Sequence, residues 1–282
     1  MIYNKINMDT PRQSIAYKVR SLPPLPETII KIQEICNNPE SGLRELAHVV
    51  EQDPMLTANL LRHANSPSFG FANSIRSVEH AVAVFGMTVV FGFALAGAVR
   101  NTLRMNLSPY GMTNAAFIHA SQTQSALMYH WYHNVDKRKL DILVPAAFIN
   151  EVGKIVIASE IINADKKDDF LNEIRSAKDE EIIYAIEHKF IGVNNIEVSA
   201  DIFEHWRLAN SMVLAMRASL NPQIADIQIS PYAWALKIVR TAVIPSGQIT
   251  SESLERATDV LSTAGLELSV FLTAANKVRN TS

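Results

Sequence analysis

Apolar positions along this 282-residue chain recur at intervals of three and four through segment after segment, the spacing of one helical face. Leu25, Ile29, Ile32 and Cys36 share such a face, and Pro26 suits the first turn of a helix running to about Cys36. Asn38-Pro39 ends it, and Ser41 is placed to cap a second helix over 43–51, with Leu43, Leu46, Ala47 and Val50 inward. Asp53-Pro54 restarts the chain as cap and first helical residue. That helix carries Leu56, Leu60 and Leu61 and closes at Asn65-Ser66-Pro67. Ser77 opens the next, with Val78, Ala81, Val82 and Phe85 on its inner face.

Further helices are expected over 88–103, 114–133, 141–162, 170–177, 179–190, 195–208, 210–220, 232–242, 251–264 and 268–278. Period-two alternation is missing, no Asn-Gly or Asp-Gly hairpin turn occurs, and 10 glycines are few for a sandwich or barrel. The pattern therefore predicts an all-α, multi-helix array. Ser108-Pro109-Tyr110-Gly111 marks a boundary between two lobes. The expected organisation is an N-terminal extension over 1–14, a domain over 15–222 with lobes at 15–108 and 112–222, and a helical extension over 223–282 packing on the second lobe.

Residues 81–99 hold nineteen positions without a charge, flanked by His80 and Arg100. Length alone allows a membrane span. Gly86, Gly92 and Gly97 dilute the apolarity, and Gly86-Met87-Thr88 reads as a break with Thr88 as a helix cap. A buried helix pair is the expected outcome, with no membrane contact.

Composition adds exclusions more than identities. With 48% apolar residues the chain supports a sizeable core. Lys and Arg number 26 against 28 Asp and Glu, for a net charge of -2, so no lopsided field recruits nucleic acid. Cys36 is the one cysteine, which rules out an internal disulfide and fits a reducing cytoplasm. The first nine residues carry no apolar signal-type run.

Several punctuated motifs occur in order: Leu22-Pro23-Pro24-Leu25-Pro26, Asp53-Pro54-Met55-Leu56, Leu60-Leu61-Arg62-His63-Ala64-Asn65-Ser66-Pro67, Phe69-Gly70 and Ile75-Arg76-Ser77-Val78-Glu79-His80-Ala81. Together they resemble the HDOD domain, the HD-related output domain of bacterial signal transduction proteins, over about residues 15–222. The resemblance implies a two-lobed, HD-domain-like helical fold related to metal-dependent phosphohydrolases. Within it, Pro26, Asp53, Pro54, Asn65, Ser66 and Gly70 are motif positions expected to serve structure. Asp53, Asn65 and Ser66 also suit the shaping of a partner groove near the lobe interface.

An HD phosphohydrolase needs a first His, a His-Asp pair and a distal Asp, which hold divalent metal that generates a hydroxide. In Ile149-Asn150-Glu151-Val152-Gly153-Lys154 the pair is Asn150-Glu151. The resemblance places His119 at the first-ligand position and Asn195 where relatives keep a His in Gly-x-x-His. Ser219-Leu220-Asn221-Pro222 lacks the His pair that often precedes this Pro. An amide is a weak, neutral ligand, and two protein ligands rarely hold a catalytic metal. No catalytic residue, metal site or cofactor is assigned. His119, Asn150, Glu151, Lys154 and Asn195 are grouped as a vestigial pocket for a small ligand or partner.

Blander roles compete at each position. His119 suits a boundary histidine with its ring nitrogens bonded. Glu151 suits pairing with Lys154, three residues on along the same helical face. His130 and His133 stand three apart around Trp131-Tyr132, which suggests a boundary helix, and His188 and His205 lie on separate segments. Neither a P-loop nor a Gly-x-Ser-x-Gly elbow occurs. The expected protein is a stand-alone cytoplasmic regulatory module that binds a signalling protein or small ligand. The alternatives are a divergent metal-dependent phosphohydrolase, using His119 and Glu151, and a membrane-anchored sensor.

Overall fold

The computed structural model describes residues 11–71 and 73–281 and is helical throughout, with no strand among those residues. The first lobe contains α2 (Glu27–Asn37), α3 (Leu43–Glu51), α4 (Pro54–Ala64), α5 (Val78–Phe85) and α6 (Met87–Thr102). The second contains α7 (Asn114–Val135), α8 (Leu140–Phe148), α9 (Gly153–Asn163), α10 (Lys167–Ser176), α11 (Glu180–Ile191), α12 (Asn195–His205) and α13 (Asn210–Ala218). α14 (Ser230–Ala242), α15 (Ser251–Thr263) and α16 (Leu268–Arg279) complete the C-terminal part. A further helix, α1 (Pro11–Arg20), precedes the first lobe, begins within the expected extension and packs on α9, α11 and α12 of the second lobe.

The punctuation works largely as read. Asp53 accepts from the backbone N–H groups of Met55 and Leu56 at 3.0 Å, capping α4 with Pro54 at its first position. Ser77 caps α5 through His80 N. Two expected caps differ. Gly42, not Ser41, starts α3, and Gly86 at φ 84° replaces Thr88 as the boundary residue between α5 and α6. Only a glycine takes that φ without strain, so the chain turns two residues earlier than Thr88 suggested.

The uncharged run at 81–99 is thus divided between two helices, both mostly buried. Among the described residues, the segment long and apolar enough to cross a membrane by composition is Lys137–Asn163, and 83% of its most apolar window lies inside the fold.

The two lobes share one continuous hydrophobic core. α6 of the first lobe lies against α8 of the second, and Gly92 allows the approach: a Cβ there would meet Pro145 at 3.0 Å. Phe69, Phe85 and Phe93 pack edge to face with centroids 5.0–5.3 Å apart, and Tyr129 of α7 closes on Phe85 at 5.3 Å. α7 is more deeply buried than a boundary helix: Trp131 and Tyr132 are each 2% exposed. The proline lead-in is anchored too, because Leu22 O accepts from His205 Nε2 at 3.0 Å and Pro23 O from Trp206 Nε1 at 3.2 Å.

The largest departure from the sequence reading is the expected helix over 141–162. It is two helices, α8 and α9, joined by a tight turn at 149–152 that carries Asn150 and Glu151. Gly153 explains the break. At that position α9 crosses α12 so closely that a Cβ would collide with the Asn195 carbonyl, while Gly153 N donates to Ser199 Oγ at 2.9 Å. The chain turns at 149–152 to enter that crossing.

Candidate functional site

Asn150 and Glu151 point into a buried polar cluster. Glu151 pairs with Lys154, as the i,i+3 spacing suggested, and accepts from Gln124 Nε2 of α7 at 3.0 Å. Asn150, 1% exposed, donates to Gln124 Oε1 at 3.1 Å and to Leu236 O at 3.3 Å. Its own oxygen accepts from Arg240 Nη1 at 3.0 Å.

Arg240 comes from α14, beyond the expected domain boundary at 222, and is 3% exposed. Its Nε donates to Glu180 at 2.8 Å, and Nη1 and Nη2 reach Ser219 Oγ and O at 3.3 and 3.4 Å. Tyr184 OH donates to the same Glu180 oxygen at 2.8 Å. A buried guanidinium with this many acceptors is well matched, since five N–H donors in a planar fork require several oxygens.

Asn195 lies in the adjoining part of the cluster. Its backbone N–H donates to Glu187 Oε2 at 2.7 Å and its amide reaches both Glu187 oxygens at 3.0 Å. Tyr110 OH completes the set at 2.7 Å. Lys154 Nζ sits 5.8 Å above the Tyr110 ring, linking the two halves of the cluster.

Electrostatics differ between the carboxylates. Burial alone would raise Glu151, but Lys154, Arg240 and the Gln124 bond outweigh it and hold its carboxyl below the usual range. For Glu187, burial wins over Lys154, Tyr110 and Asn195, and its carboxyl is pushed up to about 7. Burial also raises the Tyr110 and Tyr184 hydroxyls, so both act as donors at neutral pH.

His119 does not join this cluster. Its Nδ1 donates to Ser246 O at 3.0 Å, and Gly247 packs against the ring so closely that only a glycine fits there. The geometry of α7 explains the separation. Gln124, the residue that does meet Glu151, is five positions further on, about 7.5 Å along the axis and roughly 140° around it. The sequence grouping of His119 with Asn150, Glu151, Lys154 and Asn195 therefore needs correcting: the latter four form one buried cluster, and His119 lines a separate groove with Arg62 and Gln122.

The metal implied by the HD-like frame does not fit these residues. Glu151 is engaged by Lys154 and Gln124, Asn150 offers an amide already bonded on both atoms, and Lys154 and Arg240 bring positive charge against the same two side chains. Among the described residues, no group of three His, Cys, Asp or Glu side chains is arranged to hold a metal ion.

Two further histidines have partners within the fold. His130 bonds Phe69 O at 3.0 Å, and burial followed by repulsion from Lys277 pushes it down to about 4. His188 pairs with Glu197 at 3.1 Å. Cys36 packs against the core, and burial pushes its thiol up to about 12. Asn65 bonds Leu61 O and both backbone groups of Ile75, all at 2.8 Å, which locks the turn after α4. Gly70 takes φ 59° after the short 3-10 turn Pro67–Phe69.

A sequence profile of the HDOD domain matches residues 22–222. The chain belongs to the HDOD domain family. Solved structures of similar fold span nearly the whole chain. A virulence factor from Campylobacter jejuni is 23% identical with TM-score 0.58, covering 96% of this chain and 100% of its own. A provisionally assigned phosphohydrolase from Shewanella amazonensis gives 18% and 0.65, with coverage of 95% and 93%. An HDOD domain protein of unknown function from Geobacter sulfurreducens gives 15% and 0.61, with 95% and 96%. At these identities the likeness is one of fold. An uncharacterized protein of Treponema pallidum is 31% identical over 74 residues, and the match covers 14% of that protein's length. HDOD membership covers the motifs around Asp53 and Asn65 and the Asn150-Glu151 turn, but ends before Arg240.

Arg240, Gln124, Glu180 and Glu187, with the hydroxyls of Tyr110 and Tyr184, are cluster members that sequence reading missed. One signal was present for Arg240. It lies four residues after Leu236 and seven after Ala233, both fully buried, so it is a charge on the apolar face of its helix. Ser219, noted in the sequence for lacking a histidine, turns out to accept from Arg240.

Proposed function

We propose that this HDOD protein is a cytoplasmic regulatory module that acts by binding and not by phosphoester hydrolysis. The observation carrying the proposal is the pairing of Asn150 with Arg240 and of Glu151 with Lys154. Two side-chain cations occupy the region where the frame of an HD hydrolase would place metal. Their hydrogen bonds use the oxygens a metal would need. In this reading the old catalytic centre has become an internal bolt, a pseudoenzyme core that ties α14 to the α8–α9 turn.

The regulatory output then comes from the surface of the lobes, where a protein partner biases their packing by preferring one arrangement. The test is the double variant Asn150→His/Glu151→Asp, assayed with manganese, iron or zinc on phosphoesters. No turnover is expected, because Arg240 and Lys154 remain in place. Metal-dependent hydrolysis by this variant would overturn the reading in favour of a divergent phosphohydrolase.

A further inference from the structure

Helices α4 and α7 border an open groove at the lobe interface, and each lines it with residues at i, i+3, i+4 and i+7. On α4 and the residue after it these are Ala58, Leu61, Arg62 and Asn65. On α7 they are Ala115, Ile118, His119 and Gln122. Both series run small, aliphatic, basic, amide, and all eight residues are exposed or half-buried. The two helices flank the groove as ridges over α6 and α8, the layer against which they pack.

Polar capacity along the groove is one-sided. Among the described residues no carboxylate lines it. Arg62 is exposed and forms no ion pair among the described residues. The Asn65 amide is used on backbone groups, and Gln122 Nε2 bonds His63 Nδ1 at 2.9 Å across the two lobes. The Arg62 guanidinium, His119 Nε2 and the Gln122 oxygen remain for a visitor. Beneath, a pocket of about 30 Å³ opens beside Ile118, walled by Phe117, Phe148, Ile149 and Val152. Ile149 and Val152 flank Asn150-Glu151, so this pocket touches the turn that carries the degenerate pair.

Dimensions select the occupant. Small-molecule sites enclose most of their ligand in roughly 300–1,000 Å³. Here the enclosed part takes only the end of one apolar side chain, and the rest of the groove, about 700 Å³, is open along its length. A trough between two helices suits a third helix, whose i, i+3, i+4 and i+7 residues interdigitate with such ridges. We infer that the α4–α7 groove receives an acidic amphipathic helix of a partner protein, with a carboxylate on Arg62 and one apolar anchor in the pocket beside Ile118. This inference rests on the binding-module reading and names its site and partner chemistry.

The experiment uses the full chain and a fluorescent 20-residue amphipathic peptide, with leucines on one face flanked by glutamates. A second peptide replaces each glutamate by glutamine, and anisotropy measures both. The acidic peptide should bind at least about tenfold more tightly, the preference should weaken with salt, and Arg62→Glu should abolish it. Ala58→Trp, which fills the groove at an exposed position, should weaken both peptides. Equal affinity for the two peptides overturns the inference, as does a preference that survives Arg62→Glu. Sedimentation as a dimer that Ala58→Trp dissociates would make a second copy the occupant and overturn it too. Failure here with an inert protein leaves the binding-module reading intact, whereas metal-dependent turnover sinks that reading whatever the peptides do.

Discussion

Arg240 donates through Nη1 to Oδ1 of Asn150 at 3.0 Å, joining a C-terminal helix to the turn where an HD hydrolase would carry its metal-binding pair. The same guanidinium reaches Glu180 and Ser219, so α11, α13 and α14 converge on one side chain. Through this side chain α14 is tied to the helices that precede residue 222.

Arg240→Met should destabilise the protein by about 3–5 kcal/mol, because it leaves the buried Asn150 oxygen without its donor and half-buried Glu180 without its cation, with only the Tyr184 hydroxyl left to it. Arg240→Lys should recover less than half of this, since an ammonium does not reproduce the planar fork. Urea denaturation followed by circular dichroism measures both.

Gly247 holds φ 88° and packs on the His119 ring. Gly247→Ala should cost roughly 2–4 kcal/mol from backbone strain plus collision. His119→Ala in the same chain should relieve the collision with the ring, but neither the close contact with Ala120 N nor the strain. A double-mutant cycle with a coupling below about 0.5 kcal/mol would contradict that contact.

Gly153→Ala places a methyl against the Asn195 carbonyl at the α9–α12 crossing. Backbone on both sides leaves little room to relax, so a loss of about 3 kcal/mol or more is expected. A melting temperature unchanged from the parent would show that the helices separate easily.

Two buried groups give stability opposite pH slopes. Glu187 is raised from 4.5 to about 7. The folded state holds its proton longer than the unfolded state, so its contribution falls as pH rises between those values. His130 is lowered from 6.5 to about 4. Here the unfolded state binds the proton first, so stability falls as pH drops through that window. Glu187→Gln should remove the loss on the alkaline side, and His130→Gln the loss on the acid side. Denaturation at pH 5, 6 and 7 separates the two, and parallel profiles for parent and variants would contradict these assignments.

Much of the fold was legible because helical periodicity and capping are local. Asp53-Pro54 and Ser77 act where the sequence put them. The Glu151–Lys154 pair was also legible, being an i,i+3 contact. What escaped was non-local. Asn150 meets Leu236 and Arg240 across 86 and 90 residues, and no spacing rule links such positions. His119 was misplaced for a related reason: family position put it with the degenerate pair, while helix rotation turns Gln124 there instead. The break at 149–152 goes with the close crossing at Gly153, and the position of α12 that makes the crossing close is not a local property of the sequence.

The most direct test of the central claim is elemental analysis of the full chain purified without chelator, run beside phosphoester assays. If Lys154 and Arg240 fill the old metal position, the protein carries no stoichiometric manganese, iron or zinc and turns over nothing. Stoichiometric metal with hydrolysis that Arg240→Met leaves unchanged would contradict that assignment.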